Sequence, residues 1–264
     1  MTVLVTGATG NTGRHVVAEL VRRGERVRAL SRNPAEARLP AGVEVVQGTH
    51  TAPESLSFEG VTRLHITATA GLADVGADLV KRAVDAGVRR MTIVWGGHVG
   101  PTEQAMAESG AEWTRLEPQE FMSNTLTWAD TIRDGGVVRE PYDFPSALVH
   151  EADIAAVAVT ALLEDGHSGR AYNLTGPEVL TPRERVAVLS AALGRKIEFA
   201  ELPHGQAIER LMATGVSRED AEYVIGWYGD PPAEASTVVD TVEKVTGRPA
   251  RTFAQWVSEH LDRF

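Results

Sequence analysis

The chain has 264 residues, 23% of them charged, and a formal net charge of −10. That balance argues against a polyanionic partner such as nucleic acid, and the three lysines, Lys81, Lys196 and Lys244, form no basic run. Cysteine is absent, which excludes disulfides, thiolate metal sites and cysteine nucleophiles together.

Apolar residues at 3–5, ending in Thr6-Gly7, read as a buried parallel strand. This strand starts so close to Met1 that no signal peptide is expected. No apolar run approaches the ~18 residues of a membrane span, so the expected location is the cytoplasm. A helix follows over 14–23, with Val16, Val17, Leu20 and Val21 at helical spacing and Gly24 as its stop. Strands are expected at 27–30, 43–46 and 64–67. A helix over 77–86 carries Leu79, Val80, Ala83 and Val84 on one side and is closed by Gly87. A strand at 91–95, a helix at 103–109 and a strand at 113–116 complete this stretch.

The alternation predicts an α/β fold, a doubly wound parallel Rossmann sheet. After Pro118 the rhythm loosens. Residues 119–147 hold Gly135-Gly136, Pro141 and Pro145 and read as an irregular excursion. A helix over 153–163 and a strand at 171–174 return to the sheet. Helices then follow over 183–193, 205–213, 218–225 and 253–261. The expected division is a dinucleotide-binding domain of residues 1–117 with 148–176, and a smaller, mostly helical substrate lobe of residues 118–147 with 177–264.

The loop after the first strand reads Thr6-Gly7-Ala8-Thr9-Gly10-Asn11-Thr12-Gly13. In a strand–loop–helix the first glycine permits the tight turn, the second lets backbone approach a pyrophosphate, and the third lets helix and strand pack closely. Helix-terminal N–H groups then face the phosphates. An NAD site usually places Asp or Glu at the end of the second strand, about 20 residues on, for the ribose 2′-OH. Ser31-Arg32-Asn33 stands there instead. Arginine can hold a 2′-phosphate by a charge-assisted contact, so NADP(H) is the expected cofactor; the other reading of Arg32 is a solvated surface side chain.

With these residues in view, the chain resembles the NmrA-like, atypical short-chain dehydrogenase/reductase family. Ser109-Gly110-Ala111-Glu112-Trp113-Thr114, with Leu116, Pro118, Phe121, Met122 and Asn124, is similar to that family's SGxxxTxLRPxxFMxN segment. His150-Glu151-Ala152-Asp153-Ile154-Ala155 resembles its entry into the helix after the substrate excursion. Ala171-Tyr172-Asn173-Leu174-Thr175-Gly176-Pro177-Glu178 resembles its late strand. The likeness spans roughly residues 1–200. It implies that Gly7, Thr9, Gly10, Asn11, Thr12 and Gly13 hold the pyrophosphate, and that Ser31 and Arg32 hold the 2′-phosphate. It also implies that Thr67, Ala68, Thr69, Trp95, Gly96 and Pro118 lie along the cofactor. Two departures stand out: Gly48-Thr49 where relatives often have Gly-Asp, and Glu117 where they have arginine. Glu117 is read equally as a solvated residue or a reshaped polar contact.

The usual reductase of this class pairs a tyrosine with a lysine four residues on, which lowers the phenol pKa. Four residues after Tyr142, Tyr172, Tyr223 and Tyr228 stand Ser146, Gly176, Trp227 and Pro232, so the pair is absent. No G-x-S-x-G elbow and no His-Glu-x-x-His occurs either. His98 is the candidate proton donor, with a loop histidine in a structural hydrogen bond as its other reading. Glu103 is expected in the first turn of its helix. Glu151 and Asp153 are expected to serve a helix start rather than a metal with His150. Phe121, Asn124, Trp128, Tyr142 and Trp227 are the candidate substrate pocket. Two functions remain open. One is an NADPH-dependent oxidoreductase delivering hydride to a small quinone, enone or ketone. The other is a non-catalytic NADP(H)-sensing regulator. A homodimer is possible; neither a membrane nor a nucleic acid is an expected partner.

Overall fold

The computed structural model describes residues 1–69, 71–94 and 99–264, with the side chains of all of these except Trp227 and Tyr228. The chain runs through β1 (Thr2–Val5), α1 (Gly13–Arg22), β2 (Arg26–Ser31), β3 (Glu44–Gln47), β4 (Val61–Thr67) and α2 (Leu72–Asp85). Then come β5 (Arg90–Val94), α3 (Pro101–Glu108), β6 (Glu112–Pro118) and β7 (Glu120–Phe121). A 3-10 run (Met122–Trp128) leads to α4 (Ala129–Gly135), β8 (Val137–Glu140), β9 (Leu148–Val149), α5 (Glu151–Leu163) and β10 (Arg170–Leu174). The remainder is α6 (Pro182–Leu193), β11 (Glu198–Glu201), α7 (His204–Met212), α8 (Arg218–Gly229), α9 (Thr241–Thr246) and α10 (Phe253–Glu259). Among the described residues no helix is long and apolar enough to cross a membrane.

Two compact units result. The first comprises Met1–Pro118, Glu151–Leu174 and Thr241–Arg248; the second comprises Gln119–His150, Thr175–Asp240 and Pro249–Phe264. In the first, seven strands form one sheet in the order β10-β6-β5-β4-β1-β2-β3, every neighbour pair parallel. This is the doubly wound sheet expected from the alternation. Its order reverses between β1 and β4, and ligands of such sheets bind beyond the carboxyl ends of the strands at that reversal. The loop after Val5 and the segment after Thr67 both start there.

Leu4, Leu64, Ile66, Met91 and Ile93 on the strands join Leu79, Val80 and Ala83 of α2 and Met106 of α3 in one core cluster. Val16, Val17 and Leu20 of α1 are fully buried, as is nearly all of α5, against which both α1 and α9 pack. A helix apolar all round belongs in an interior, and the Ala/Val/Leu run of α5 follows that rule. Helix α2 starts five residues earlier than its hydrophobic spacing predicts. The buried stripe of its first turns includes Gly76, where any Cβ would overlap the Thr102 side chain of α3. A glycine in the core stripe hid the periodicity.

In the second unit the excursion is more ordered than its Gly and Pro content predicts. It holds β7, the 3-10 run, α4 and β8, pieces of two to seven residues that are too short to print a period. β8 pairs in parallel with β11, and β7 with β9. The main core here gathers Met122, Trp128, Ile132, Val138, Leu189, Phe253, Trp256 and Val257, with Trp256 stacked between Phe253 and His260 at ring distances of 5.8 and 4.3 Å. A smaller cluster of Leu202, Ala207, Ile208, Ala221 and Ile225 lies under α7 and α8.

One buried polar pair sets an acid limit on the first unit. His65 of β4 stands opposite Thr92 of β5 in the ladder, and its Nδ1 lies 2.9 Å from Thr92 Oγ1. Its Nε2 is buried with no partner. Burial in this setting lowers the imidazole pKa to about 4. An unfolded histidine takes its proton near 6.5, so between these values the unfolded chain binds more protons than the folded one. Stability therefore falls as pH drops from about 6.5 to about 4, by about 3 kcal/mol from this group, and this contribution is flat below. Urea unfolding at pH 7 and pH 4 should show a loss larger by that amount in the wild type than in a His65→Leu/Thr92→Val double variant. Equal losses would rule out His65 as the source.

Candidate functional site

The loop between β1 and α1 is shaped by backbone meeting backbone. Gly7 has φ +58°, a left-handed conformation that favours glycine. A Cβ on it would stand 2.9 Å from Thr67 Oγ1. The Gly7 carbonyl accepts from Gly10 N–H at 2.9 Å, and the Gly10 carbonyl from Arg14 N–H at 3.2 Å, which carries the turn into α1. A Cβ on Gly13 would overlap the Gly7 carbonyl oxygen. Thr9, Gly10 and Asn11 form the exposed tip, while Thr12 and Gly13 are buried. Thr6 and Thr67 lock the neighbouring strand ends: Thr67 N–H donates to Thr6 Oγ1 at 2.9 Å, and Thr67 Oγ1 donates to the Thr6 carbonyl at 3.2 Å.

At the end of β2, Ser31 is buried and its hydroxyl accepts from Asn33 N–H at 3.2 Å. Arg32 is exposed and, among the described residues, has no hydrogen-bond or ion-pair partner. A guanidinium left free beside a glycine-rich turn fits a phosphate ligand. Ala68 is half-buried after β4. Thr69 is exposed, its Oγ1 2.8 Å from Nε2 of His50, and burial lowers the His50 pKa. Pro118 ends β6 opposite Leu174. Trp95, Gly96 and His98 lie outside the described residues. Glu117 is a polar contact, with Arg115, two residues before it on the same strand face, donating to it at 2.6 Å. Glu103 sits in the first turn of α3, where its carboxylate accepts from Gly100 N–H at 3.0 Å.

The second unit encloses a pocket of about 1200 Å³. Asn124, Trp128 and Tyr142 line it; Phe121 is half-buried in β7 and does not. Trp227 falls outside the described side chains. Trp128 is mostly core, 7% exposed, and its indole Nε1 donates to Glu140 Oε1 at 2.7 Å. Glu140 also takes Arg210 at 2.8 Å. Arg185 of α6, buried, grips Glu120 with both terminal nitrogens at 2.8 and 3.0 Å. Leu202, Ala207, Leu211 and Ile225 supply an apolar wall. Arg139 lines the pocket too, exposed and without a carboxylate partner among the described residues. Tyr142 Oη lies 2.8 Å from His204 Nδ1 at the start of α7. Arg139, Arg185, Arg210 and His204 escaped the sequence reading, because each meets its partner or the pocket only through tertiary folding.

The model of the NmrA-like family matches residues 1–108, the stretch that contains the loop, Arg32 and Thr67–Thr69. A Streptomyces griseus enzyme, (4-alkanoyl-5-oxo-2,5-dihydrofuran-3-yl)methyl phosphate reductase, is 39% identical across 99% of both chains. The chain belongs to the NmrA-like family. A second relative, the NAD(P)H azoreductase of Xenophilus azovorans, is 34% identical across 99% of both chains. Among solved structures, an NADPH-dependent quinone oxidoreductase from Escherichia coli in complex with NADPH superposes with a TM-score of 0.79. It is 26% identical over 98% of this chain and 99% of that one.

The steric reading of this NmrA-like loop is testable by stability and by binding. Gly13→Ala should lower stability by about 1–3 kcal/mol, the usual cost of forced overpacking, and abolish dinucleotide binding in calorimetric titration. Gly10→Ala, whose Cβ would stand 3.2 Å from the same oxygen, should cost less in Tm. Equal melting temperatures would mean that close approach does not shape the loop.

Proposed function

We propose that this chain is an NADPH-dependent oxidoreductase that transfers a hydride to a small conjugated organic acceptor, an enone or quinone. The observation that carries the proposal is the near full-length likeness to an enzyme named as a reductase of a dihydrofuranone phosphate, at 39% identity. The first unit supplies a cofactor site: the Gly7–Gly13 turn for the pyrophosphate and Arg32 for the 2′-phosphate. When bound, NADPH supplies the hydride. The residues around it bind and orient it.

The second unit supplies a receptacle of suitable chemistry. Most small-molecule sites combine an apolar wall with a few convergent polar groups. Here Leu202, Ala207, Leu211 and Ile225 would face the apolar body of an acceptor, and Arg139 would take an anionic substituent. This agrees with an acceptor class that carries an acyl chain and an acidic group on an unsaturated ring. The missing Tyr-x-x-x-Lys pair does not count against reduction, because hydride transfer tolerates protonation from another source. A purely sensing role has no pocket feature in its favour.

Two measurements decide the matter. Purified protein with NADPH should reduce at least one member of a panel of quinones, enones and acyl butenolides, followed by loss of absorbance at the nicotinamide band. Turnover of none would sink the enzyme reading. Arg32→Ala should raise the Kd for NADPH about 10–100-fold, the worth of one charge-assisted contact, and leave that for NADH nearly unchanged. Parallel losses for both would place the 2′-phosphate elsewhere.

A further inference from the structure

A wall that meets no ligand should leave none of its buried donors idle, since a buried polar group without a partner carries its full desolvation penalty. The pocket of the second unit breaks that rule twice. Thr125, in the 3-10 run, and Arg185 of α6 both line it, with 1% and 3% of their surfaces exposed. Thr125 Oγ1 and Arg185 Nε are buried and, among the described residues, find no hydrogen-bond partner. The other threonines of the lining behave differently. Thr127, Thr131 and Thr214 each donate to the carbonyl three residues before, at 2.7, 2.9 and 2.7 Å. Arg185 commits its two terminal nitrogens to Glu120, which meets its charge and leaves the Nε–H over. A turn about χ1 exchanges the methyl and hydroxyl of Thr125 between staggered positions, so the hydroxyl can be offered to the pocket without moving the backbone.

We infer that this pocket binds an acyl ligand, an aliphatic chain ending in a carbonyl or carboxylate, whose oxygen is held by the Thr125 hydroxyl and the Arg185 Nε–H. Both idle groups can donate, and an acyl oxygen accepts without donating, which is the complement of two donors. An ammonium head would instead set its own donors and charge against the guanidinium. Leu202, Ala207, Leu211 and Ile225 give the chain its wall, and burial of methylene groups there supplies most of the affinity. Arg139, the lining cation without a carboxylate partner among the described residues, favours a carboxylate head and is indifferent to a ketone. Glu209, the uncommitted acid of the same lining, argues against a doubly charged head. The claim concerns binding within the second unit alone. It needs no nucleotide and stands whether or not the bound compound is reduced.

The test uses the full chain without nucleotide, titrated calorimetrically with decanoate and with 2-decanone, which share the acyl oxygen and differ in charge. Wild type should bind at least one of them saturably. Thr125→Val keeps the shape of the side chain and removes the hydroxyl. Its affinity should fall about tenfold, the worth of one hydrogen bond, while its Tm should rise by a few degrees because an idle buried donor is gone. Thr125→Ser keeps a hydroxyl and should bind within about threefold of wild type. Arg139→Gln tells the two heads apart. A loss of decanoate affinity that 2-decanone does not share marks a carboxylate head, and unchanged affinity for both marks a carbonyl. Failure of wild type to bind either probe, a Thr125→Val affinity equal to that of wild type, or a lower Tm in that variant would overturn the inference. A chain that binds a probe but oxidises NADPH with no acceptor would leave the inference standing and bring down the reductase reading instead.

Discussion

The approach of α1 to the end of β1 is the contact on which the nucleotide half of the molecule depends. Gly13 lies so close to the Gly7 carbonyl that no side chain fits between them. This brings the first turn of the helix, with its N–H groups, against the strand end, where a pyrophosphate can use them. The sheet supplies the rest. Because its order reverses between β1 and β4, Thr67 reaches across to Thr6, and the two strand ends are tied by two hydrogen bonds. Arg32 then stands on the far side of β1, at the end of β2. Three neighbouring strand ends, those of β4, β1 and β2, thus lie beside the turn proposed to hold the nucleotide.

The sheet and the tight turn of that half were legible in the sequence because their signals have a steric meaning. Of the glycines at three-residue spacing, Gly7 and Gly13 mark places where a Cβ cannot fit. The absence of an acid after β2 marks a place where a phosphate would not be repelled. The alternation of apolar strands with amphipathic helices gave the sheet. Where legibility failed, the reason is again physical. Helix α2 carries a glycine in its buried stripe, so its first turns look unpatterned. The 119–147 excursion is built of a 3-10 run and very short strands, whose periods cannot be read from two to seven residues. Trp128 reads as a pocket platform, yet it belongs mainly to the core and shows the pocket only part of its ring. His204 lies 62 residues beyond Tyr142, and nothing in local spacing links them.

The pocket walls show how charge is handled where an acceptor would bind. Glu120 is held by a buried bidentate arginine, and Glu140 by Arg210 and an indole N–H. Both carboxylates are half-buried and paired, so their charges are largely met within the wall. The rest of the lining includes the apolar Leu202, Ala207, Leu211 and Ile225, the polar Asn124 and Gln206, and the charged Arg139 and Glu209. An acceptor with an apolar body and an ionic tail would find partners for both without breaking either pair.

Two histidines of the chain stand in opposite settings. His65 sits in the middle of the sheet with one nitrogen on Thr92 and the other facing no partner. Its burial drives out the charged form down to about pH 4. His204 has the opposite setting: one face on a phenol, the other in water. A Tyr–Lys pair of the usual kind lies within one helix, four residues apart. Here the two partners come from a loop and a helix start, so the arrangement depends on the fold of the second unit. Such a contact is set by tertiary structure, and a search confined to sequence spacing cannot find it.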